Sequence, residues 1–207
     1  MIRKYFWTLL FLGIGLIGFS AETLGQFQTS YYGPTTLENQ THPMLTIFGP
    51  ATLRNVTVTG KTSLKGSATL IGGHYGVINI HGPFRGVGVT CQTLEAYGPV
   101  SLNSSDIQGQ FIVNGPLTVD GGTFQDISVA ADEVTLKDAQ LQSLTVRQNH
   151  PDHPRPQAVS LEGTTSITGD IIFEGKNGVV RVKNDTVTFK GNLENGRREN
   201  LFESSLK

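Results

Sequence analysis

A short phrase that begins with glycine recurs through residues 33–136 at an almost constant spacing. The first copy is Gly33-Pro34-Thr35-Thr36-Leu37, and later copies begin at Gly49, Gly66, Gly82, Gly98, Gly115 and, in a degenerate form, Asp132. Successive copies start 16 or 17 residues apart. A short fixed period is typical of a solenoid, in which each repeat forms one coil and the coils stack on one another.

Each repeat predicts a coil with three short strands. Counted from the glycine as position 0, positions 2 and 4 are mostly apolar around a polar position 3, which indicates a strand with one buried face. Apolar residues also recur at position 9 and in a pair near the end of the repeat. Position 4 predicts a core column made of Leu37, Leu53, Leu70, Leu102, Val119 and Leu136. We therefore predict an all-β chain folded as a single-stranded parallel β-helix with coils of 16–17 residues, and favour the right-handed form because parallel crossovers are right-handed.

The first 21 residues have the pattern of a secretory signal peptide. Arg3 and Lys4 precede an apolar run from residue 6 to residue 19, and small residues follow it. The run is shorter than the roughly 20 residues that a membrane-spanning helix needs. We expect export and cleavage, which place the protein in the periplasm, at the cell surface or outside the cell. The alternative is a retained membrane anchor formed by residues 5–19.

The remaining chain divides into a lead-in, a solenoid and a polar end. Residues 22–32 are expected to lead into or cap the first coil, and residues 33–193 to form the β-helix domain. Residues 147–156 contain three prolines together with His150 and His153, which predicts a loop inserted between coils. Residues 194–207 are polar and are predicted to be a tail or a cap. A cap matters because an open solenoid end exposes unpaired strand edges.

No pattern of residues predicts catalysis or a cofactor. Cys91 is the only cysteine and falls in an apolar column, so we interpret it as a buried small side chain rather than a nucleophile. His150 and His153 supply too few ligands for a metal site. The acidic residues of the later coils occupy different repeat positions and do not converge on a groove; they are Asp106, Asp120, Asp126, Asp132 and Asp138. We therefore expect no enzyme, no metal and no cofactor.

The position before the glycine predicts a surface ladder. It is occupied by Tyr32, Phe48, Lys65, His81 and Tyr97, and then by Asn114 and Ala131. Side chains projecting outward there would align four rings, Tyr32, Phe48, His81 and Tyr97, able to stack on sugar rings or on another protein. The alternative is that these side chains pack into the corner. The net charge of −1 gives no support for nucleic-acid binding.

The repeats resemble those of the bactofilins, a family of polymer-forming β-helix proteins. The resemblance rests on the glycine-initiated phrases and on Gly163-Thr-Thr-Ser-Ile-Thr-Gly-Asp-Ile-Ile-Phe-Glu-Gly175. It implies end-to-end self-assembly without a nucleotide and without catalytic residues. The repeats are also similar to the β-helical stalks of exported bacterial adhesins, which suits the predicted signal peptide.

Together these observations predict a non-enzymatic exported solenoid that acts as a structural, self-assembling or adhesive element of the cell envelope. Its partner would be a second copy of itself or an envelope component, and its only membrane contact would be an uncleaved signal segment. The alternative is a β-helix that binds or cleaves carbohydrate, with a groove near Tyr32, Tyr97 and neighbouring carboxylates. A smooth prism without such a groove would count against that alternative.

Overall fold

A computed structural model of the protein describes residues 28–149 and 155–202. The predicted signal peptide and the pair His150 and His153 lie outside these residues. All regular structure in the described ranges is β-strand. Among the same residues no helix has the length and apolar character needed to cross a membrane.

Twenty strands form in the described part of the chain, and each pairs in parallel with the corresponding segment of a neighbouring coil. The strands are β1 (Gln28–Tyr32), β2 (Thr35–Glu38), β3 (Thr41–His42), β4 (Met44–Phe48), β5 (Ala51–Arg54), β6 (Thr57–Lys65), β7 (Ala68–Ile71), β8 (His74–His81), β9 (Phe84–Val87), β10 (Thr90–Tyr97), β11 (Val100–Asn114), β12 (Leu117–Ala130), β13 (Glu133–Arg147), β14 (Ala158–Glu162), β15 (Ser166–Ile167), β16 (Ile171–Phe173), β17 (Gly178–Val182), β18 (Thr188–Phe189), β19 (Leu193–Glu194) and β20 (Gly196–Asn200).

Each coil contributes one strand segment to each of three faces. In the coil that begins at Gly49, β5 lies on the first face, the start of β6 on the second and the end of β6 on the third. The long strands β11, β12 and β13 bend through all three faces of their coils. About ten turns stack in this way, which confirms the predicted all-β parallel solenoid.

Parallel register places equal repeat positions on top of one another and so builds the core. Leu37 pairs with Leu53, Leu53 with Leu70, and Leu102 with Val119. The six residues assigned to this column from the sequence are between 0 and 6% exposed. Burying one such side chain contributes about 2 kcal/mol of hydrophobic stabilisation, so stability is distributed along the stack.

Gly86 departs from this column because of its neighbour in the same strand. A Cβ at Gly86 would lie 2.7 Å from Leu102 Cδ2 and 3.2 Å from Phe84 Cζ. Phe84, which is itself buried, therefore fills the space that a leucine occupies in the other coils. The large Phe84 side chain compensates for the missing side chain of Gly86, so the core column remains closely packed.

The corner between the third and first faces requires glycine. Gly49, Gly66, Gly82, Gly98 and Gly115 all have φ between +134° and +147°. A Cβ at each of them would lie 2.6–2.8 Å from the carbonyl oxygen of the glycine one coil earlier. Only glycine combines this backbone conformation with so close an approach of successive coils.

The paired strands extend beyond the predicted range of 33–193 at both ends. β1 pairs with β4 in full register, so residues 28–32 already form a strand of the stack. β20 pairs with β17, which places Arg198 on Val180 and Asn200 on Val182 in the core columns. Arg198 Nε donates a hydrogen bond to Asn200 Oδ1 at 2.9 Å. A polar pair thus replaces apolar residues in the last layer of the described residues.

Candidate functional site

The residues before the corner glycines form one column along the edge of the prism. Register stacks Tyr32, Phe48, Lys65, His81, Tyr97, Asn114, Ala130 and Arg147, which we call the edge column. Ala130, and not Ala131, occupies it, because Asn114 pairs with Ala130 and Ala130 with Arg147. Ala131 instead turns the corner and is buried.

Rings in the edge column stack on one another. Tyr32 and Phe48 have ring centroids 5.0 Å apart and are inclined by 4°, while His81 and Tyr97 are 4.9 Å apart and inclined by 19°. Between the two pairs, Lys65 places Nζ 4.9 Å from the centroid of Phe48, in cation–π geometry. The coil spacing of about 4.8 Å is close to a stacking distance, so the backbone itself positions these rings. We call Tyr32, Phe48, Lys65, His81 and Tyr97 the open half of the column.

The open half is accessible to a partner. Tyr32 is 80% exposed and Tyr97 is 45% exposed. In the described ranges only Leu201 joins them as a large, exposed hydrophobic side chain. Two of these three residues, Tyr32 and Tyr97, lie in one column, at the two ends of the open half.

Tyr97 and Glu95 form a polar contact at the end of the open half. The Tyr97 hydroxyl donates a hydrogen bond to Glu95 Oε1 at 2.6 Å. This bond and the negative charge of the carboxylate raise the pKa of Tyr97 above its usual value, because both favour the neutral phenol. The contact orients the exposed ring of Tyr97.

Positive charges around the open half have no acidic partner in the described part of the chain. The ion pairs in the whole described part of the chain are Arg54–Glu38, Lys137–Asp120, Lys137–Asp138, Arg155–Asp132, Arg181–Glu199, Lys183–Glu162 and Arg197–Glu199. None of them includes Lys61, Lys65 or Arg85. With the Asn79 amide oriented to donate to the Ile78 carbonyl, Lys61 Nζ instead lies 3.2 Å from the Asn79 oxygen.

A shallow groove adjoins the open half on the first face. It has a volume of about 340 Å³. One wall is a row of prolines and the other is a row of hydroxyls and one guanidinium; the residues on these walls are Pro83, Pro99, Pro116, Thr69, Arg85, Ser101 and Thr118. We call it the proline groove. It runs across the strands, parallel to the edge column.

The other three residues of the edge column are tied to the protein, and we call them the closed half. Arg147 Nη2 donates hydrogen bonds to Asn114 Oδ1 at 3.0 Å and to the Val113 carbonyl at 3.2 Å. Ala130 lies between Asn114 and Arg147 in the column, so these bonds pass over it, and Ala130 is only 8% exposed. The buried Gln157 then donates through Nε2 to the carbonyls of Ala131 and Arg147, at 2.8 and 2.7 Å.

Cys91 and its neighbour Tyr75 face the core. Cys91 is 2% exposed, and burial raises the pKa of its thiol to about 12. Burial, and secondarily Cys91, raises the pKa of Tyr75, whose hydroxyl has no hydrogen-bond partner in the described part of the chain. His74 and His81 are exposed on the outer surface. Neither His74 nor His81 is therefore placed against this buried thiol.

The acidic residues considered from the sequence each bond to the following coil. Asp106 accepts from Thr123 N, Asp120 pairs with Lys137, Asp126 accepts from the Ser143 hydroxyl, Asp132 pairs with Arg155, and Asp138 accepts from Thr164 N. The bonds from Thr164 also lower the pKa of Asp138. Within the described ranges, no group of three or more histidine, cysteine or acidic side chains could hold a metal ion.

A glutamine ladder on the second face was not recognised from the sequence. Gln92, Gln108, Gln125 and Gln142 each follow the inward residue of that face by one position, and Gln92 Nε2 donates to Gln108 Oε1 at 2.6 Å. Reading position 10 of successive repeats would have revealed it. The bond between Gln92 and Gln108 joins two successive coils, and stacked amides of this kind stabilise parallel strands.

Comparison with protein-family models, with curated proteins and with solved structures yields no significant match. The resemblance to bactofilins and to adhesin stalks therefore holds at the level of the repeat and the β-solenoid, and membership of the bactofilin family is not supported.

Proposed function

We propose that the protein is a non-enzymatic, exported β-solenoid that serves as an adhesive scaffold of the cell envelope, and that the open half of the edge column is its contact surface. The observation that carries this proposal is the alignment of two exposed tyrosines with stacked rings and the cation of Lys65 along one edge. The N-terminal pattern of residues 1–21 supports export.

Lateral contact is favoured over end-to-end assembly by the final layer of the core. A second copy continuing the stack would cover Arg198 and Asn200, which occupy core positions in β20. A guanidinium enclosed there without a carboxylate would oppose association by several kcal/mol. Stacking on β20 is therefore disfavoured, which supports contact through the sides of the solenoid.

The full-length chain, expressed in an exporting bacterial host, tests this proposal. We expect cleavage near residue 21, a size in light scattering that does not grow with concentration, and retention on isolated cell envelopes. The Tyr32→Ala/Tyr97→Ala variant should lose retention, while the control Leu201→Ala should keep it. Concentration-dependent rods, or retention unaffected by the tyrosine substitutions, would contradict the proposal.

A further inference from the structure

We infer that the proline groove holds a phosphate monoester at Ser67, Thr69 and Arg85, three of the residues that line it on the first face. This site is separate from the rings of the open half and goes beyond the proposed function. Three observations support it: neighbouring departures from the repeat, hydrogen-bond donors that the protein does not use, and a positive charge with no carboxylate beside it.

Two neighbouring coils depart from the repeat at outward positions of the first face. Position 1 is proline in the other five copies that begin with glycine, but it is Ser67 in the copy that begins at residue 66. Position 3 is threonine or serine in every coil from Thr36 to Ser160 except at Arg85. Arg85 pairs in register with Thr69, at the coil spacing of about 4.8 Å, so the two departures adjoin each other. Exposed residues that break a repeat without serving the core indicate a functional site.

Ser67 leaves a notch in the row of prolines. Backbone hydrogen bonds stack Ser67 between Pro50 and Pro83 of the adjacent coils. A hydroxymethyl group there replaces a ring, and the notch opens into the groove of about 340 Å³ beside Thr69 and Arg85. A compact group can therefore lie against the sheet, while the exposed ring of Pro83 can pack against an apolar body attached to that group.

The donors at this notch are not used within the protein. The hydroxyls of Ser67 and Thr69 and the Arg85 guanidinium take part in none of the side-chain hydrogen bonds or ion pairs of the described part of the chain. A guanidinium presents two parallel N–H donors to two oxygens, and each hydroxyl can donate one more bond. A carboxylate has only two oxygens, which the guanidinium satisfies alone. A phosphate monoester has a third terminal oxygen for the hydroxyls, so the donor set favours it.

The charge around the notch is positive. Lys65 lies at the edge next to the notch and, like Arg85, has no acidic partner in the described ranges. The outward positions beyond the hydroxyl column are Ile71 and Val87 in these two coils, so no carboxylate adjoins the donors there. Glu95, the acid of the open half, lies on the third face two coils away from Lys65. A phosphate monoester carries roughly 1.5 to 2 negative charges at neutral pH, and it meets cations at the notch without a competing acid.

Magnetic resonance titration of the exported full-length protein, labelled with nitrogen-15 and followed through the Ser67 and Thr69 amides, tests the inference with four probes. Phenyl phosphate is a monoester, diphenyl phosphate a diester with two terminal oxygens, benzoate a carboxylate, and inorganic phosphate has no apolar body. We expect phenyl phosphate to bind at least about fivefold more tightly than the diester and the carboxylate, and about threefold more tightly than inorganic phosphate. Equal or tighter binding of the diester or the carboxylate would overturn the ligand class. Equal or tighter binding of inorganic phosphate would assign the site to the free ion, and equal binding of all four would leave an adventitious ion only; both results contradict the inference.

Two substitutions that restore the repeat locate the site without disturbing the fold. Arg85→Thr introduces the residue type that Thr69 and Thr118 provide in the same column, and it should weaken phenyl phosphate binding by roughly tenfold or more. Ser67→Pro fills the notch and removes one hydroxyl, and we expect a loss of about fivefold, followed through the Thr69 amide. Both variants are expected to keep the urea midpoint of the wild type. Unchanged binding in either folded variant would show that the notch is not the site.

Matched controls separate this site from other arginines and from the open half. Arg181 continues the same column but pairs with Glu199, so Arg181→Thr should leave the affinity for phenyl phosphate unchanged. The Tyr32→Ala/Tyr97→Ala variant should also bind phenyl phosphate as the wild type does, because neither ring lies in the notch. An equal loss in Arg181→Thr and Arg85→Thr would reduce the effect to general charge attraction and overturn the inference. A loss in the tyrosine variant would place the ligand on the open half instead.

Discussion

The open and closed halves of the edge column share one backbone geometry and differ in what their side chains do. In the open half, stacked rings and a cation extend toward solvent. In the closed half, Arg147 folds back on Asn114 across Ala130, and Gln157 holds the adjoining corner. A parallel solenoid supplies the same column in every coil, so binding properties are decided by side chains and can change from one coil to the next.

The core differs between the halves as well. Beneath the open half, Thr62 Oγ1 and the Tyr75 hydroxyl have no hydrogen-bond partner in the described part of the chain, and Cys91 lies next to Tyr75. Beneath the closed half, the inward residues of β12 and β13 are apolar and almost fully buried. The closed half also has an unsatisfied buried atom, Arg147 Nε, but that atom belongs to a side chain of the edge and not to the core. Unsatisfied polar groups weaken a core, so we expect the core of the open half to unfold more easily.

A charge in the core is expected to unfold both halves together. Leu102→Asp puts a carboxylate at a position that is 2% exposed, between Gly86 and Val119 in the column. An unpaired buried charge opposes folding by more than the stability of a typical domain can supply, so no cooperative thermal transition should remain in circular dichroism. The matched variant Leu102→Met should lose less than about 1.5 kcal/mol. A cooperatively melting Leu102→Asp protein would show that the column is not continuous.

A side chain at a corner glycine should damage the open half directly. Gly98 has φ of +138°, and a Cβ there would lie 2.8 Å from the Gly82 carbonyl oxygen. Gly98→Val therefore adds backbone strain and a steric clash, and we expect it to lower the free energy of unfolding by about 3 kcal/mol or more. Urea denaturation measures this loss. Ser101→Val, at an exposed outward position, should change stability by less than about 0.5 kcal/mol.

The corner of the closed half depends on a side chain instead of a glycine. Gln157→Ala removes the donor to the carbonyls of Ala131 and Arg147, and both lose their partner in a poorly hydrated site. We expect a loss of about 2 kcal/mol in urea denaturation. The exposed Gln140→Ala is the control and should be nearly neutral. An equal effect of the two substitutions would mean that Gln157 does not hold this corner.

Sequence periodicity predicts only the structural features that recur from coil to coil. Leu53 and Tyr97 could be assigned to a core column and to the edge because parallel register stacks equal positions. Ala131 was assigned to the edge column in place of Ala130, because the repeat length alternates between 16 and 17 residues and the sequence does not show which length applies at this coil. The bond from Arg147 to Asn114 joins residues 33 positions apart, and no period indicates it. Residues 194–207 were predicted to be a tail or a cap, because the polarity of Arg198 conceals its position in a strand.

The buried thiol beneath the open half should make stability depend on alkaline pH. The pKa of Cys91 is about 12 in the folded protein and about 9 when unfolded, so the folded state retains the proton that the unfolded state releases. The stabilisation is complete below pH 9 and is lost as pH rises toward 12. We expect the free energy of unfolding to fall by roughly 1 kcal/mol between about pH 8 and pH 10. In Cys91→Val the free energy of unfolding should depend less on pH over this interval. An unchanged dependence would mean that other groups cause it.

The smallest expected effect separates the closed half from binding. Arg147→Ala removes two hydrogen bonds to Asn114 and Val113, but it also removes a buried Nε that has no partner in the described part of the chain. These contributions oppose each other, so we expect a stability change below about 1 kcal/mol. Retention on cell envelopes should be unchanged, whereas Tyr32→Ala/Tyr97→Ala abolishes it, because the Arg147 guanidinium is engaged within the protein. Loss of retention in Arg147→Ala would extend the contact surface into the closed half and remove the distinction between the two.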